Sequence, residues 1–251
     1  MRINICGIKI DSIDMAQAIA IVDQLVIEKQ KSFLVTPNVD HIVSMQSDNE
    51  FWAIANKAVL VLPDGMPIIW AARWLGTPFK EKISGSDLFP KICKLAAEKN
   101  YKVYFLGGRD GAAAKSAHIL KIKYPGLQVV GTYCPSLGFE KDDIENQKII
   151  NMIKKTKPDI LFVGLGAPKQ EKWIYKYKNQ YQVPLSIGIG VSFEFISGIV
   201  KRAPKWMQDV GLEWFWRLMM EPVRLWKRYL IDDPIFFWLI FKQKMGWLKV
   251  D

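Results

Sequence analysis

Over its first 200 residues the chain switches repeatedly between two hydrophobic patterns. Short apolar runs rich in β-branched residues recur at Phe33–Thr36, Val59–Leu62, Val103–Leu106, Leu127–Gly131, Ile160–Val163 and Leu185–Ile189, and they read as strands. Between them, Ile13–Lys29, Leu88–Lys99, Ala112–Lys123 and Ile144–Lys155 place apolar residues at i, i+3 and i+4 with Lys, Gln and Glu in the gaps, the spacing of amphipathic helices. Asp142, near the start of the last of these, suits a helix cap or a first-turn acid. Strand and helix in alternation imply an α/β fold, a mostly parallel sheet with helices on both faces. No internal repeat and no low-complexity linker interrupts it.

Near residue 201 the texture changes. The stretch KRAPKWMQDVGLEWFWRLMMEPVRLWKRYLIDDPIFFWLIFKQKMGWLKVD holds six of the ten tryptophans and four arginines. It reads as short helices broken at Gly211, Pro222 and Pro234. Arg, Lys and Trp beside Leu, Met and Phe suit either a helical cap that packs on a core or an interfacial surface, where rings lie at headgroup depth and cations meet lipid phosphate. The expected organisation is a catalytic domain over residues 1–200 and a basic, Trp-rich helical appendage over 201–251, with the interfacial reading favoured.

Composition sharpens this. A chain of 251 residues suits one large domain or one domain with an appendage. A net charge of +10 calls for an anionic partner: nucleic acid, acidic lipid or a phosphorylated substrate. Three scattered cysteines, Cys6, Cys93 and Cys134, show no pairing pattern and suit a reducing compartment. The opening MRINICGIKIDS has no apolar core of a signal peptide. No window reaches the ~18–20 consecutive apolar residues of a spanning helix, so any membrane contact is expected to be peripheral.

Three strands end in glycine-rich turns: FLGGRDG (105–111), VGLGAPKQE (163–171) and IGIGVSFEF (187–195). Ligands of parallel sheets bind at the carboxyl edge of the strands. Glycine lets backbone N–H groups approach a phosphate there, so Gly107, Gly108 and Gly166 are candidate binding positions. Alternatively these glycines only permit tight turns. Neither a dinucleotide fingerprint nor a P-loop is present. No D-x-D occurs, and His41 and His118 stand alone, so no metal site is expected. Charge on a leaving diphosphate would then fall to Arg, Lys and backbone N–H groups. In TPNVDHI (36–42), Thr36 and Asn38 flank Pro37 at a strand exit, and Asp64 of LPDGMPIIW stands at another. Asp64 is either a turn former or a working acid or base; His41 is either a packing or a site residue.

Taken together, PNVDHI, LPDGMPIIW, GSDLFP, FLGG, VGLGAPKQEKWI and SGIVKRAPKWMQDVGLEWFWRLMMEPVRLWKRY resemble the WecG/TagA/CpsF glycosyltransferases along nearly the whole chain. The resemblance implies a Rossmann-like catalytic domain with a C-terminal appendage that docks on the membrane and completes the active site. It implies an inverting, metal-independent enzyme of cell-surface polysaccharide synthesis, at the cytoplasmic face of the plasma membrane and without a cofactor. The sugar, commonly N-acetylmannosamine, passes from a UDP-sugar to a polyprenyl-diphosphate-linked sugar. By the same resemblance Asp64 is the base, Thr36 lies beside it and Gln170 lies near the donor. Glu194 and Phe139 match positions that hold the uridine, and Arg202, Arg217 and Arg224 match arginines that meet diphosphate. Two departures stand out. Lys82 takes a place often held by Arg and lacks the bidentate fork. Phe139 replaces a frequent Tyr and can stack but cannot hydrogen-bond.

Two other readings compete. A nucleotide-dependent oxidoreductase would need the missing dinucleotide fingerprint. A non-catalytic basic module for membrane or nucleic acid is allowed by the charge, but it has no use for a polar cleft lined by Thr36, Asp64 and Gln170. Nucleic acid is therefore not an expected partner, and a homo-oligomer is left open.

Overall fold

The structure, a computed structural model, describes residues 1–248. The last three residues of the expected appendage lie outside the described residues. In chain order the elements begin with β1 (Arg2–Ile5), β2 (Ile8–Asp11), α1 (Met15–Glu28), β3 (Ser32–Val35), α2 (Val39–Met45), α3 (Asn49–Asn56), β4 (Leu60–Val61) and α4 (Met66–Leu75). There follow α5 (Gly85–Lys99), β5 (Lys102–Gly107), α6 (Ala112–Lys123), β6 (Gln128–Tyr133), α7 (Asp143–Thr156), β7 (Ile160–Gly164), α8 (Lys169–Tyr181), β8 (Leu185–Gly188) and α9 (Ser192–Ser197). The chain closes with α10 (Lys205–Asp209), α11 (Glu213–Met220), α12 (Pro222–Lys227), a π-helical turn at Arg228–Asp232 and α13 (Ile235–Lys244). All six expected strands and all four expected helices are present. The α/β class read from their alternation holds.

Two compact units share these elements. One comprises Met15–Val35 and Gly85–Val200. Here five strands run in the order β3-β8-β7-β5-β6. Every pair is parallel, with Leu34 opposite Ile187, Phe162 opposite Ile187 and Phe105 opposite Phe162. Helices flank the sheet. Four fully buried rings, Phe89, Phe105, Phe162 and Phe193, meet edge to face or tilted, with centroids 4.8–5.7 Å apart. Such pairs add to burial through their quadrupoles. Asp142 is the N-cap of α7: its carboxylate accepts from the N–H groups of Ile144 (2.9 Å) and Glu145 (3.1 Å).

The other unit comprises Met1–Asp14, Thr36–Ser84 and the described residues from Lys201 onward. It opens with the hairpin β1–β2, turned by Cys6 (φ 50) and Gly7 (φ 85), the two positive φ angles of a tight primed turn. Asp11 closes the hairpin end: its carboxylate accepts from Arg2 Nε (3.0 Å) and from the Val61 N–H (2.9 Å). α13 packs on α2 and α4. Gln243 of α13 binds the hairpin at both ends of its amide, accepting from the Cys6 N–H (2.7 Å) and donating to the Asn4 carbonyl (2.8 Å). The described residues from Lys201 thus form short helices broken at Gly211, Pro222 and Pro234, as their sequence implies. They group with the Asp64 segment by contact.

Candidate active site

The loops that carry the expected polar residues are pinned by backbone bonds inside the Asp64-bearing unit. The Asp64 N–H donates to the Pro37 carbonyl (3.1 Å), and the Ile83 N–H donates to the Pro63 carbonyl (2.9 Å). Asp64 follows β4 and precedes Gly65, whose φ of 99° only glycine adopts readily and which is the N-cap of α4. Pro67 lies in the first turn of that helix, where its missing N–H has no partner to lose. The strand exit therefore turns directly into a helix, and the half-buried Asp64 sits at the joint.

A cleft of about 440 Å³ opens there. Of the expected residues, Asn38, Asp64, Lys82 and Arg217 line it. Its aromatic wall is Trp70, Trp214, Tyr229 and Phe237. Arg228, Glu213 and Asp233 line it as well, and the sequence reading singled out none of these three. Arg228 Nη2 lies 3.5 Å from Asn38 Oδ1, its Nη1 lies 3.4 Å from Asp40 and its Nε lies 3.8 Å from Asp233. For Arg228 and Asp233 the signal was charge inside an apolar run: WKRYLIDDP places an arginine and two carboxylates among aromatic and aliphatic neighbours. Charges in such a setting are kept for a partner.

Thr36 is buried and is not part of the cleft lining. Arg202 pairs with Glu213 at 3.3 Å and reaches Ser84 Oγ at 3.4 Å, so it buttresses a lining residue. Arg224 is exposed, pairs with Glu221 and is not a lining residue. His41 is a capping residue. The Asn38 carboxamide accepts from its N–H (3.2 Å), the Asn38 N–H faces its Nδ1 (3.4 Å), and the ring stands edge-on to Phe51. Burial, with Arg228 nearby, pushes its pKa down to about 3, so the ring is neutral in the working range.

In the sheet-bearing unit the glycine turns meet one another. The Gly108 N–H donates to the Gly164 carbonyl at 2.7 Å. A methyl group on Gly107 would stand 2.6 Å from that same carbonyl oxygen, and Gly107 has φ +98°, so a side chain is excluded twice over. Gln170 is buried, and both ends of its amide are held: Oε1 accepts from the Gly190 N–H (3.1 Å) and Nε2 donates to Glu171 Oε1 (2.7 Å). It thereby fixes the third glycine turn. Gly166 faces open space. Glu194 is buried and accepts from the Arg109 N–H (2.9 Å), which ties α9 to the first glycine turn. Phe139 is buried, and its carbonyl accepts from Asn146 Nδ2 (2.9 Å).

Glu171 is fully enclosed, and its Oε2 has no hydrogen-bond partner. Burial raises its pKa to about 7, against the smaller opposing effect of the Gln170 bond. A carboxyl group raised in the fold stabilises fully below its unfolded pKa and loses that contribution as pH rises through about 7. Thermal melts should therefore show wild type falling relative to Glu171→Gln between pH 5 and pH 8. The gap should be on the order of 2–3 kcal/mol at the upper end. Parallel melts of the two proteins across that range would show the acid is ionised in both states.

The sheet-bearing unit thus ends in mutually braced glycine turns, and the Asp64-bearing unit carries a cleft with a carboxylate among cations and rings. The chain belongs to the glycosyl transferase WecG/TagA/CpsF family, whose model matches residues 3–249. It is similar to the N-acetylglucosaminyldiphosphoundecaprenol N-acetyl-beta-D-mannosaminyltransferase of Bacillus spizizenii. The two are 32% identical over 203 residues, which is 81% of this chain and 76% of the relative. It is similar as well to the protein of the same name from Staphylococcus aureus strain MW2, 29% identical over 247 residues, 97% of this chain and 93% of the relative. The protein is a glycosyltransferase, which sets aside the oxidoreductase and the non-catalytic module.

Proposed function

We propose that this enzyme transfers N-acetylmannosamine, or a closely related hexose, from a UDP-sugar to a polyprenyl-diphosphate-linked N-acetylglucosamine with inversion. The single observation that carries this reading is the placement of Asp64 in one cleft with Lys82, Arg217 and Arg228. Inversion is a single displacement: the acceptor hydroxyl attacks the anomeric carbon on the face opposite the diphosphate. As the new C–O bond forms and the C–O bond to phosphate breaks, the hydroxyl proton goes to Asp64. The electron pair leaves on the diphosphate. That leaving group needs balancing charge rather than a proton, so one carboxylate and several cations suffice. A glycosidase instead needs paired carboxylates. Glu194 and Phe139 are assigned to the uridine by family resemblance, and the glycine turns to a phosphate by their place at strand exits.

The residues from Lys201 support a peripheral membrane role for this chain. Among the described residues no helix is long and apolar enough to cross a membrane. Yet α11 buries none of its side chains, and Trp206, Met219, Val223, Trp226, Leu230 and Trp247 are exposed. Exposed apolar surface on this scale marks an interaction face, and a lipid-linked acceptor gives it a reason.

A panel of UDP-sugars, each offered with the prenyl-diphosphate-N-acetylglucosamine acceptor, tests the assignment. One donor should yield a disaccharide product whose anomeric configuration, read by NMR, is opposite to that of the donor. A product of retained configuration would refute the single displacement.

A further inference from the structure

We propose that Asp233 is a substrate-binding residue that accepts a hydrogen bond from a hydroxyl or amide of the acceptor sugar, beside Arg217 and Arg228, which balance the donor's leaving diphosphate. This rests on the transferase reading above and adds the group that recognises the acceptor's sugar. Three observations converge. Asp233 and both arginines line the cleft that holds Asp64. Asp233 Oδ1, Arg217 Nε and Arg228 Nε are each buried without a hydrogen-bond partner. The other Asp233 oxygen lies 3.8 Å from Arg228 Nε, too far for a hydrogen bond.

Buried polar atoms are nearly always satisfied, and those left over at a concave site mark where a ligand supplies the partner. Two unfilled donors and one unfilled acceptor in a single cleft define the ligand's chemistry. It must present anionic oxygens to the guanidinium groups and a neutral donor to the carboxylate. The donor's leaving diphosphate does the first, and the acceptor sugar, whose hydroxyl must reach Asp64 in the same cleft, does the second. The aromatic wall of Trp214, Tyr229 and Phe237 adds faces on which a sugar ring can lie. The position of Asp233 is also one the fold does not favour for itself. Burial, with Asp40 and Asp232 near, raises its pKa to about 6 against the pull of Arg228. The segment keeps this carboxylate against a desolvation penalty, immediately before Pro234 at the start of α13.

The test compares wild type, Asp233→Asn and Asp233→Ala in acceptor-dependent UDP release, varying donor and acceptor separately. Thermal melts at pH 8 establish that each variant is folded; Asn removes only the charge and is expected to melt no lower than wild type. The acceptor KM should rise tenfold or more in both variants while the donor KM stays within twofold. A set of acceptors lacking single hydroxyls provides the readout that a structural role would not move. One deoxy acceptor should be discriminated by wild type and no longer by Asp233→Ala. Folded variants with unchanged acceptor KM and unchanged discrimination would overturn the assignment while leaving the transferase reading intact. A wild-type protein that releases no UDP with any donor would overturn both.

Discussion

Asp64→Asn is expected to lower turnover by ~100-fold or more, because a positioned general base typically contributes ~10²–10⁴-fold and no carboxylate remains at that joint. The substitution keeps the shape of the side chain. The backbone bond from residue 64 to the Pro37 carbonyl uses the main chain, so the loop between β4 and α4 is retained. Calorimetric affinity for the UDP-sugar should therefore be unchanged, and the whole effect should appear in kcat. Turnover within a few fold of wild type, in a folded variant, would remove Asp64 from the role of base.

The second large effect concerns the exposed apolar face. Val223, Trp226 and Leu230 recur at i, i+3 and i+7 across α12 and the turn after it, and each is at least half exposed. Replacing all three with Glu should lower affinity for anionic vesicles by at least ~100-fold. Each apolar side chain forfeits on the order of 1 kcal/mol of burial, and each new charge meets a repelling surface worth about 1 kcal/mol. Transfer to a long-chain acceptor in those vesicles should fall in step. Transfer to a short-chain, water-soluble acceptor should persist. Truncation before Lys201 is a poorer experiment than the sequence suggests. It would uncover a core to which Met207, Leu225, Phe236 and Ile240 contribute, and would delete Arg217, Arg228 and Asp233 from the cleft. Unchanged vesicle binding by the triple variant would place the docking face elsewhere.

The sheet was legible because its strands carry their own pattern. Ile160–Gly164 and Leu185–Gly188 are buried at every position, so continuous apolar runs marked them without help from neighbours. The hairpin β1–β2 went unread although INICGIKI alternates as a half-buried strand pair should. The turn residues Cys6 and Gly7 are not among the familiar turn dipeptides. α8 went unread for the opposite reason. Lys, Gln and Tyr dominate Lys169–Tyr181, and in its buried face Ile174 is the one aliphatic residue beside Trp173, Tyr177 and Tyr181.

The site divided along a similar line. Asp64 was visible as a lone carboxylate at a strand exit, and its cleft neighbours Asn38 and Lys82 come from loops joined to it by two backbone hydrogen bonds. Arg228 and Asp233 are far from it in sequence, and the packing of the π-helical turn on α2 and of α13 on α2 and α4 brings that C-terminal stretch into the same unit. Spacing along the chain carries no trace of such a contact. Gln170, placed near the donor by the resemblance, has its amide engaged at both ends, Oε1 with the Gly190 N–H and Nε2 with Glu171, an engagement that residue type alone does not announce.

The most direct test of the whole account is release of UDP by wild type and Asp64→Asn in the same liposomes, with UDP-N-acetylmannosamine and a polyprenyl-diphosphate-N-acetylglucosamine acceptor. The account predicts release that requires the acceptor in wild type and falls ~100-fold or more in the variant. Release that is indifferent to the acceptor, or equal in the two proteins, would contradict it.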